Sequence, residues 1–240
     1  MPYRRLPNTD QARIRALTQA VEKGADYDIH NLVISLASLS DARNFLRKFV
    51  LAQSYYKQCF DNQAQSSKQH QPNVKMARLY VSHFIQVLNM AVQRSEIKVS
   101  YKEWYGLPLD NYNVPDLMTE SAIAEWGEKI IAGEQKRISH GGTPIYNPAI
   151  AKVKVHYDIF MEGYHRQKNL QSITSRSLER LAEMRPVADE LILGLWNQIE
   201  KKFEDIEPNE VRLDKCREYG VIYYYRANEK RKMNLSNGLY

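Results

Sequence analysis

Cysteine is nearly missing from this chain of 240 residues, which holds only Cys59 and Cys216. They sit too far apart for any zinc or redox spacing. Their scarcity excludes a disulfide-built scaffold and suits a reducing compartment, so a cytoplasmic location is expected. Long apolar runs are missing as well. The uncharged apolar stretch from Asn31 to Ser40 is about half of what a spanning helix needs, and no membrane partner is expected. The opening Met1-Pro2-Tyr3-Arg4-Arg5-Leu6-Pro7 has basic residues with no apolar stretch behind them, which is not the composition of a secretory leader. No Gly-x-x-x-x-Gly-Lys-Ser/Thr, Gly-x-Gly-x-x-Gly, His-Glu-x-x-His or Gly-x-Ser-x-Gly occurs. The commonest nucleotide, zinc and hydrolase sites are therefore excluded, although a dispersed site escapes such a test.

Charge of one sign is also modest. The formal net charge is +6, but half of it lies in the tail, where Arg226, Lys230, Arg231 and Lys232 face only Glu229. The remainder of the chain makes a weak case for an anionic partner.

What is present is helical periodicity. A hydrophobic content of 43% is enough for a real core. Ala42, Phe45, Phe49, Ala52, Tyr56, Cys59, Gln63 and Ser66 fall at alternating spacings of three and four, the seam of an amphipathic helix. Shifted by 108, the seam reappears as Ile150, Val153, Tyr157, Phe160, Tyr164, Gln167, Gln171 and Thr174, and the change from apolar to polar falls at the same place. The next helix repeats at a shift of 111: Ala77, Tyr80, Val81, Phe84, Ile85 and Leu88 against Ala188, Leu191, Ile192, Leu195, Trp196 and Ile199. Leu6-Pro7-Asn8 likewise precedes Val114-Pro115-Asp116 by 108. The pattern is that of a duplication.

Boundary residues complete this picture. Ser40-Asp41 and Asn147-Pro148 read as starts of long helices, and Pro72 and Pro186 read as breaks, because proline disfavours helix in the residue before it. Helices are expected near 9–23, 28–37, 41–69, 73–97, 119–138, 148–183, 186–205 and 208–218. The fold class is all-α, an antiparallel helical bundle of two pseudo-repeated hairpins. The expected division is 1–108 for the first repeat, 109–210 for the second and 211–240 for a C-terminal strand and basic tail. Residues 100–118 read as an ordered crossover, and His140 to Pro144 as a loop. Tyr219-Gly220-Val221-Ile222-Tyr223-Tyr224-Tyr225 has the composition of a strand, with 97–101 or 143–146 as its expected partner.

Three stretches, Ile150-Ala151-Lys152-Val153, Ala188-Asp189-Glu190-Leu191-Ile192 with Leu195-Trp196-Asn197, and Cys216-Arg217-Glu218-Tyr219-Gly220-Val221, resemble helical proteins of unknown function from Bacteroides-type bacteria. The resemblance covers most of the chain. It implies the helical fold and assigns no activity, ligand or site.

Few residues suggest chemistry. Glu162-x-x-His165 has the spacing of a carboxylate di-iron bundle, but the positions 108 earlier are Ser54 and Lys57, which cannot complete one. His156 lies far from the same helical face. His140-Gly141-Gly142 resembles an oxyanion loop without a nucleophile to serve. No catalytic, metal or cofactor-binding residue is expected. The polar end of the seam, Cys59, Gln63 and Ser66 with Gln167, Gln171 and Thr174, could meet as a hydrogen-bonded layer or line a small pocket. Helix ends that splay into solvent are the plainer alternative. The C-terminal block of Tyr223, Tyr225, Arg226, Lys230, Arg231 and Lys232 sets aromatic rings beside cations, as single-stranded nucleic acid binders do. With 16 tyrosines and long amphipathic helices, the leading expectation is a non-enzymatic scaffold or interaction protein, self-associating or bound to a protein partner. Nucleic-acid binding through the C-terminus comes second, and an enzyme with its site near the polar seam third.

Overall fold

A computed structural model describes residues 3–26 and 32–225 of the chain. The architecture is all-α: α1 (Asp10–Ala25), α2 (Leu36–Gln93), α3 (Glu120–Ser139), α4 (Ile150–Lys202) and α5 (Asn209–Glu218), with a 3-10 helix, Val99–Tyr105, between α2 and α3. A short two-stranded sheet completes it. In that sheet β1 (Tyr3–Arg4) and β2 (Tyr223–Tyr224) pair antiparallel, Tyr3 opposite Tyr224 and Arg4 opposite Tyr223.

The expected hairpins do not form. Residues 41–69 and 73–97 belong to one helix of 58 residues that runs through Pro72, and 148–183 and 186–205 to one of 53 that runs through Pro186. An interior proline costs about 3 kcal/mol, through a lost N–H and a clash with the carbonyl four residues back. Both prolines lie on exposed faces, where water can take up the freed carbonyl. Apolar residues on either side of each keep helical spacing and are buried, Phe49 and Val74 around Pro72, Leu181 and Ala188 around Pro186, so packing outweighs the local penalty. The seam that supports the long helices is a stronger signal than the proline that would break them.

Three smaller expectations also change. Ser40 and Asp41 lie inside α2 rather than at its start, and residues 32–35 form no helix, while 28–31 fall outside the described residues. Part of the 100–118 crossover winds into the 3-10 helix, which ends at Gly106 in the left-handed conformation (φ 67°) that glycine adopts without a Cβ clash. The C-terminal strand pairs with residues 3–4, neither with 97–101 nor with 143–146, and covers only Tyr223–Tyr224. Residues 219–220 form a turn, with Gly220 at φ 87°, and 221, 222 and 225 belong to no strand.

The chain divides into two compact units, one of residues 1–59 and 175–240, the other of residues 60–174. Each long helix thus gives one half to each unit.

In the first unit, α1 starts at the N-cap Thr9, whose hydroxyl accepts from the Ala12 N–H, and places Asp10 in its first turn, where the helix dipole favours negative charge. Its inner face, Ala16, Leu17, Ala20 and Val21, is buried with Ile34, Leu39 and Ala42, the α4 residues Ile192, Leu195, Trp196 and Ile199, and Cys216, Tyr219 and Val221 near the C-terminus. Two bidentate ion pairs fix the register of α1 on α4. Arg13 reaches Asp189 at 2.8 and 2.9 Å, and Arg185 reaches Asp10 at 2.8 and 2.9 Å.

In the second unit, α3 repeats this start. Thr119 caps it by accepting from the Ala122 N–H, and Glu120 occupies the first turn. Ile123 and Ile130 pack with Ala77, Val81, Phe84, Ile85 and Leu88 of α2 and with Val153 and Phe160 of α4. The 106–118 connection is held by three side chains: Asn89 donates to the Tyr112 carbonyl and Lys102 to that of Asn111, while Arg78 donates to those of Leu117 and Met118.

Candidate functional site

The second unit gathers buried polar groups in three places. The first is a closed network at the C-terminal end of α3. Glu134 is fully buried and Arg137, one turn later, nearly so; they pair at 2.8 and 2.9 Å. Tyr105 donates to Glu134 at 2.5 Å, the Ile145 N–H donates to the same carboxylate, and Arg137 also donates to the Thr143 carbonyl. Burial alone would push the Glu134 carboxyl up, but the bonds from Arg137, Tyr105 and Ile145 outweigh it and hold it below its ordinary value. The Tyr105 phenol is driven well above its usual range by burial and then by that carboxylate. Gly133 lets the ring approach, because a Cβ there would overlap Tyr105. These bonds tie the Glu134–Arg137 pair to Tyr105 and to the backbone at Thr143 and Ile145, so the network anchors the 141–147 loop.

The second place is Lys102, whose side chain is fully buried. Its ammonium donates to the Asn111 carbonyl at 2.6 Å and lies 4.1 Å from the centre of the Tyr112 ring. Burial pulls its pKa down, with Asp110 opposing. The bond to Asn111 ties the connection to the 3-10 helix.

The third place is different, because its polar groups are not satisfied. Where α3 begins beside the middle of α4, Glu120, Ser121, Tyr164, Gln167, Lys168 and Gln171 line a cavity of about 300 Å³. Gln167 is 6% exposed, and neither its amide oxygen nor its amide nitrogen has a hydrogen-bond partner. His70 of α2 is 4% exposed, and both its ring nitrogens lack a hydrogen bond. Its Nε2 stands 3.7 Å from a Glu120 oxygen, and its ring stacks on Phe160, which stacks on Tyr164. The imidazole packs closely against α4 at Gly163, where a Cβ would overlap it. Each buried polar atom left without a partner costs roughly 1–3 kcal/mol, so two such side chains in one place are expensive to keep.

Of the six polar-seam residues, the cavity unites Gln167 and Gln171. Thr174 is buried and its hydroxyl donates to the Leu170 carbonyl at 2.9 Å, as a helical threonine commonly does. Gln63 and Ser66 are half-buried in the second unit, while Cys59 is buried in the first. His70 and Glu120 were not legible as part of this site. They come from helix faces separated by about 50 residues of chain, and no local spacing links them.

The metal-like spacings lead elsewhere. Glu162 accepts from Arg166 at 3.5 Å, His165 lies edge-on to Tyr164, and His156 stacks on Tyr80 at 4.2 Å. Among the described residues no group of three or more His, Cys, Asp or Glu side chains is placed to hold a metal. The His140 Nδ1–H donates to the Lys136 carbonyl at 2.8 Å, and the ring lies beside Trp104.

At the C-terminal block, Tyr223 donates to Glu200 at 2.6 Å, and Tyr225 reaches Glu210 at 3.4 Å. Burial, then the bond to Glu200, drives the Tyr223 phenol well up. Arg226, Lys230, Arg231 and Lys232 lie outside the described residues. No helix among the described residues is long and apolar enough to cross a membrane.

No known family model, curated protein or solved structure matches the chain. The class is defined by the fold, an all-α helical bundle, and any function has to be argued from its own residues.

Proposed function

We propose that the chain is a non-enzymatic interaction module that self-associates through the outer faces of its long helices. The observation that carries this reading is a set of apolar side chains exposed at helical spacing in the second unit. On α2 these are Met76, Leu79 and Met90, and on α4 Val155, Ile159 and Ile173. Residues 76, 79 and 90 fall within about 60° of one another around the helix, as do 155, 159 and 173. Scattered exposed apolar residues are ordinary, but stripes of this kind are what a partner helix covers. A second copy offers the same stripes and needs no further partner to be assumed.

Three further features belong to the same reading. No disulfide joins Cys59 and Cys216, which suits the cytoplasm. A duplicated origin is supported by burial. Ala77, Val81, Phe84, Ile85 and Leu88 are all buried, as are Ala188, Ile192, Leu195, Trp196 and Ile199 at a shift of 111. The threonine caps Thr9 and Thr119, each followed by an acid, fit it too.

Light scattering on a size-exclusion column across a hundredfold range of concentration tests the proposal. The mass should rise above that of one chain, 28.0 kDa, and Leu79→Glu with Ile159→Lys should return it to that of one chain. A monomer at every concentration removes the reading.

A further inference from the structure

We infer that the cavity between the end of α2 and the 141–147 loop binds a small carboxylate carried on a flat apolar body, with Arg137 and Lys98 receiving its charge. The inference goes beyond self-association and does not depend on it, because every residue involved lies within the second unit and none belongs to the apolar stripes.

The starting point is one nitrogen of Arg137. This side chain is 3% exposed, and it lines a cavity of about 610 Å³, a volume within the ordinary range of ligand pockets. Its Nε donates to Tyr105 and Glu134, and its Nη2 to Glu134 and the Thr143 carbonyl. Nη1 has no acceptor among the described residues, yet it is not sealed from solvent. A guanidinium keeps its proton in proteins, so two N–H groups of a buried cation are left for an occupant. Gly142 leaves them room, since a Cβ there would stand 2.8 Å from Nη1.

Charge and floor narrow the choice. Arg94 and Glu96 on the lining cancel in a bidentate pair at 2.7 and 3.1 Å, while Lys98 has no ion-pair partner among the described residues. Arg137 is balanced by Glu134. The site therefore keeps a surplus of one positive charge, which a carboxylate neutralises and a dianionic phosphate ester overshoots. Carbonyls in the last turns of α2 and α3 would repel an anion if free, but they are taken up locally: Ala91 accepts from Glu96 and Ile97, Arg137 from Gly142 and Ile138 from Gly141. The floor is apolar, with Ala91, Ile97 and Ile145 buried and Val87 half-buried. Tyr101, whose ring stacks on Trp104 at 4.3 Å, forms one wall. A small inorganic anion would satisfy the cations and leave this apolar surface wet. A neutral apolar molecule would do the reverse, and a carboxylate on a flat ring covers both.

The test is isothermal titration of the full chain at low salt with benzoate, phenylacetate and indole-3-acetate as separate probes. Acetate, benzyl alcohol and phenyl phosphate serve as controls for charge without body, body without charge, and the dianion. At least one aromatic carboxylate should bind saturably, and each control should bind about tenfold more weakly or less. Lys98→Glu, at an exposed position outside the core, should weaken that binding about tenfold or more. In the unaltered protein, the Arg137 side-chain N–H signals in a nitrogen-15 NMR titration should move with the same saturation. Binding that is unchanged in Lys98→Glu overturns the site, as do Arg137 signals that stay in place while ligand binds. An absence of saturable binding by all three carboxylates overturns it too and leaves Nη1 to ordered water. Acetate, benzyl alcohol or phenyl phosphate matching the aromatic carboxylates overturns the assignment of the ligand. None of these outcomes bears on the mass read by light scattering, so failure here and failure of self-association are distinguishable.

Discussion

The two compact units share a plan but fill it differently. In residues 1–59 and 175–240 the core is apolar, with Leu17, Ile34, Phe49, Leu195 and Trp196 fully or almost fully buried. It is tied by bidentate pairs, the buried Arg13 with Asp189 and Arg185 with Asp10. In residues 60–174 an equally dry set, Phe84, Ile85, Leu88, Ile123 and Phe160, is interrupted by buried His70, Asn89, Lys102, Glu134, Arg137 and Gln167. Buried polar groups add little net stability and specify position. Glu134 and Arg137 locate a loop, Asn89 and Lys102 locate the connection, and His70 and Gln167 remain without hydrogen-bond partners. The first unit keeps one such atom as well, the Trp196 Nε1, so the two differ in how many polar groups they bury rather than in kind.

That contrast can be broken most severely at Glu134. Glu134→Leu leaves the Arg137 charge buried without its partner and should cost roughly 3–5 kcal/mol in urea unfolding. The sign of its pH dependence follows from the lowered pKa of Glu134. A carboxyl with a depressed folded-state pKa stabilises above its unfolded value, near ~4.3, and loses that contribution as pH falls through the folded value. Glu134→Gln should therefore show a shallower loss of stability below about pH 4. A variant with an unchanged acid profile would mean that the carboxylate does not carry the network.

In the apolar unit, Leu195→Ala removes a buried side chain with no polar consequence and should cost about 3 kcal/mol with little pH dependence. If its loss proved as pH-dependent as that of the Glu134 variants, the contrast between the units would fail. The smallest effects sharpen the likeness instead. Thr9→Ala and Thr119→Ala each remove one cap and should each cost about 1 kcal/mol, measured by thermal unfolding. Equal losses support equivalent helix starts, and a loss at one alone would separate them.

Much of this was legible beforehand for one physical reason: helical spacing is a local property. The seams at 42–66 and 150–174 lie on α2 and α4, and α1, α3 and α5 begin and end within about two residues of expectation. Pro72 and Pro186 misled because a local steric penalty was weighed without the burial on either side of them. The strand residues Tyr223 and Tyr224 were recognisable by composition, but their partner, Tyr3–Arg4, is more than 200 residues away, and no spacing reports such a pairing. Glu134-x-x-Arg137 looks like any helical surface pair, and only burial makes it a network.

The sequence by itself determined the all-α class, the apolar faces and the polar turn of each seam, because side-chain type and helical period decide which face of a helix can leave water. Only the tertiary structure decided that the long helices run unbroken, that each is shared between two compact units, and that Gln167 meets a cavity edged by Glu120 with His70 behind it. Those outcomes depend on which faces meet across long stretches of chain, and on the free energy of burial there, which no window of neighbouring residues contains.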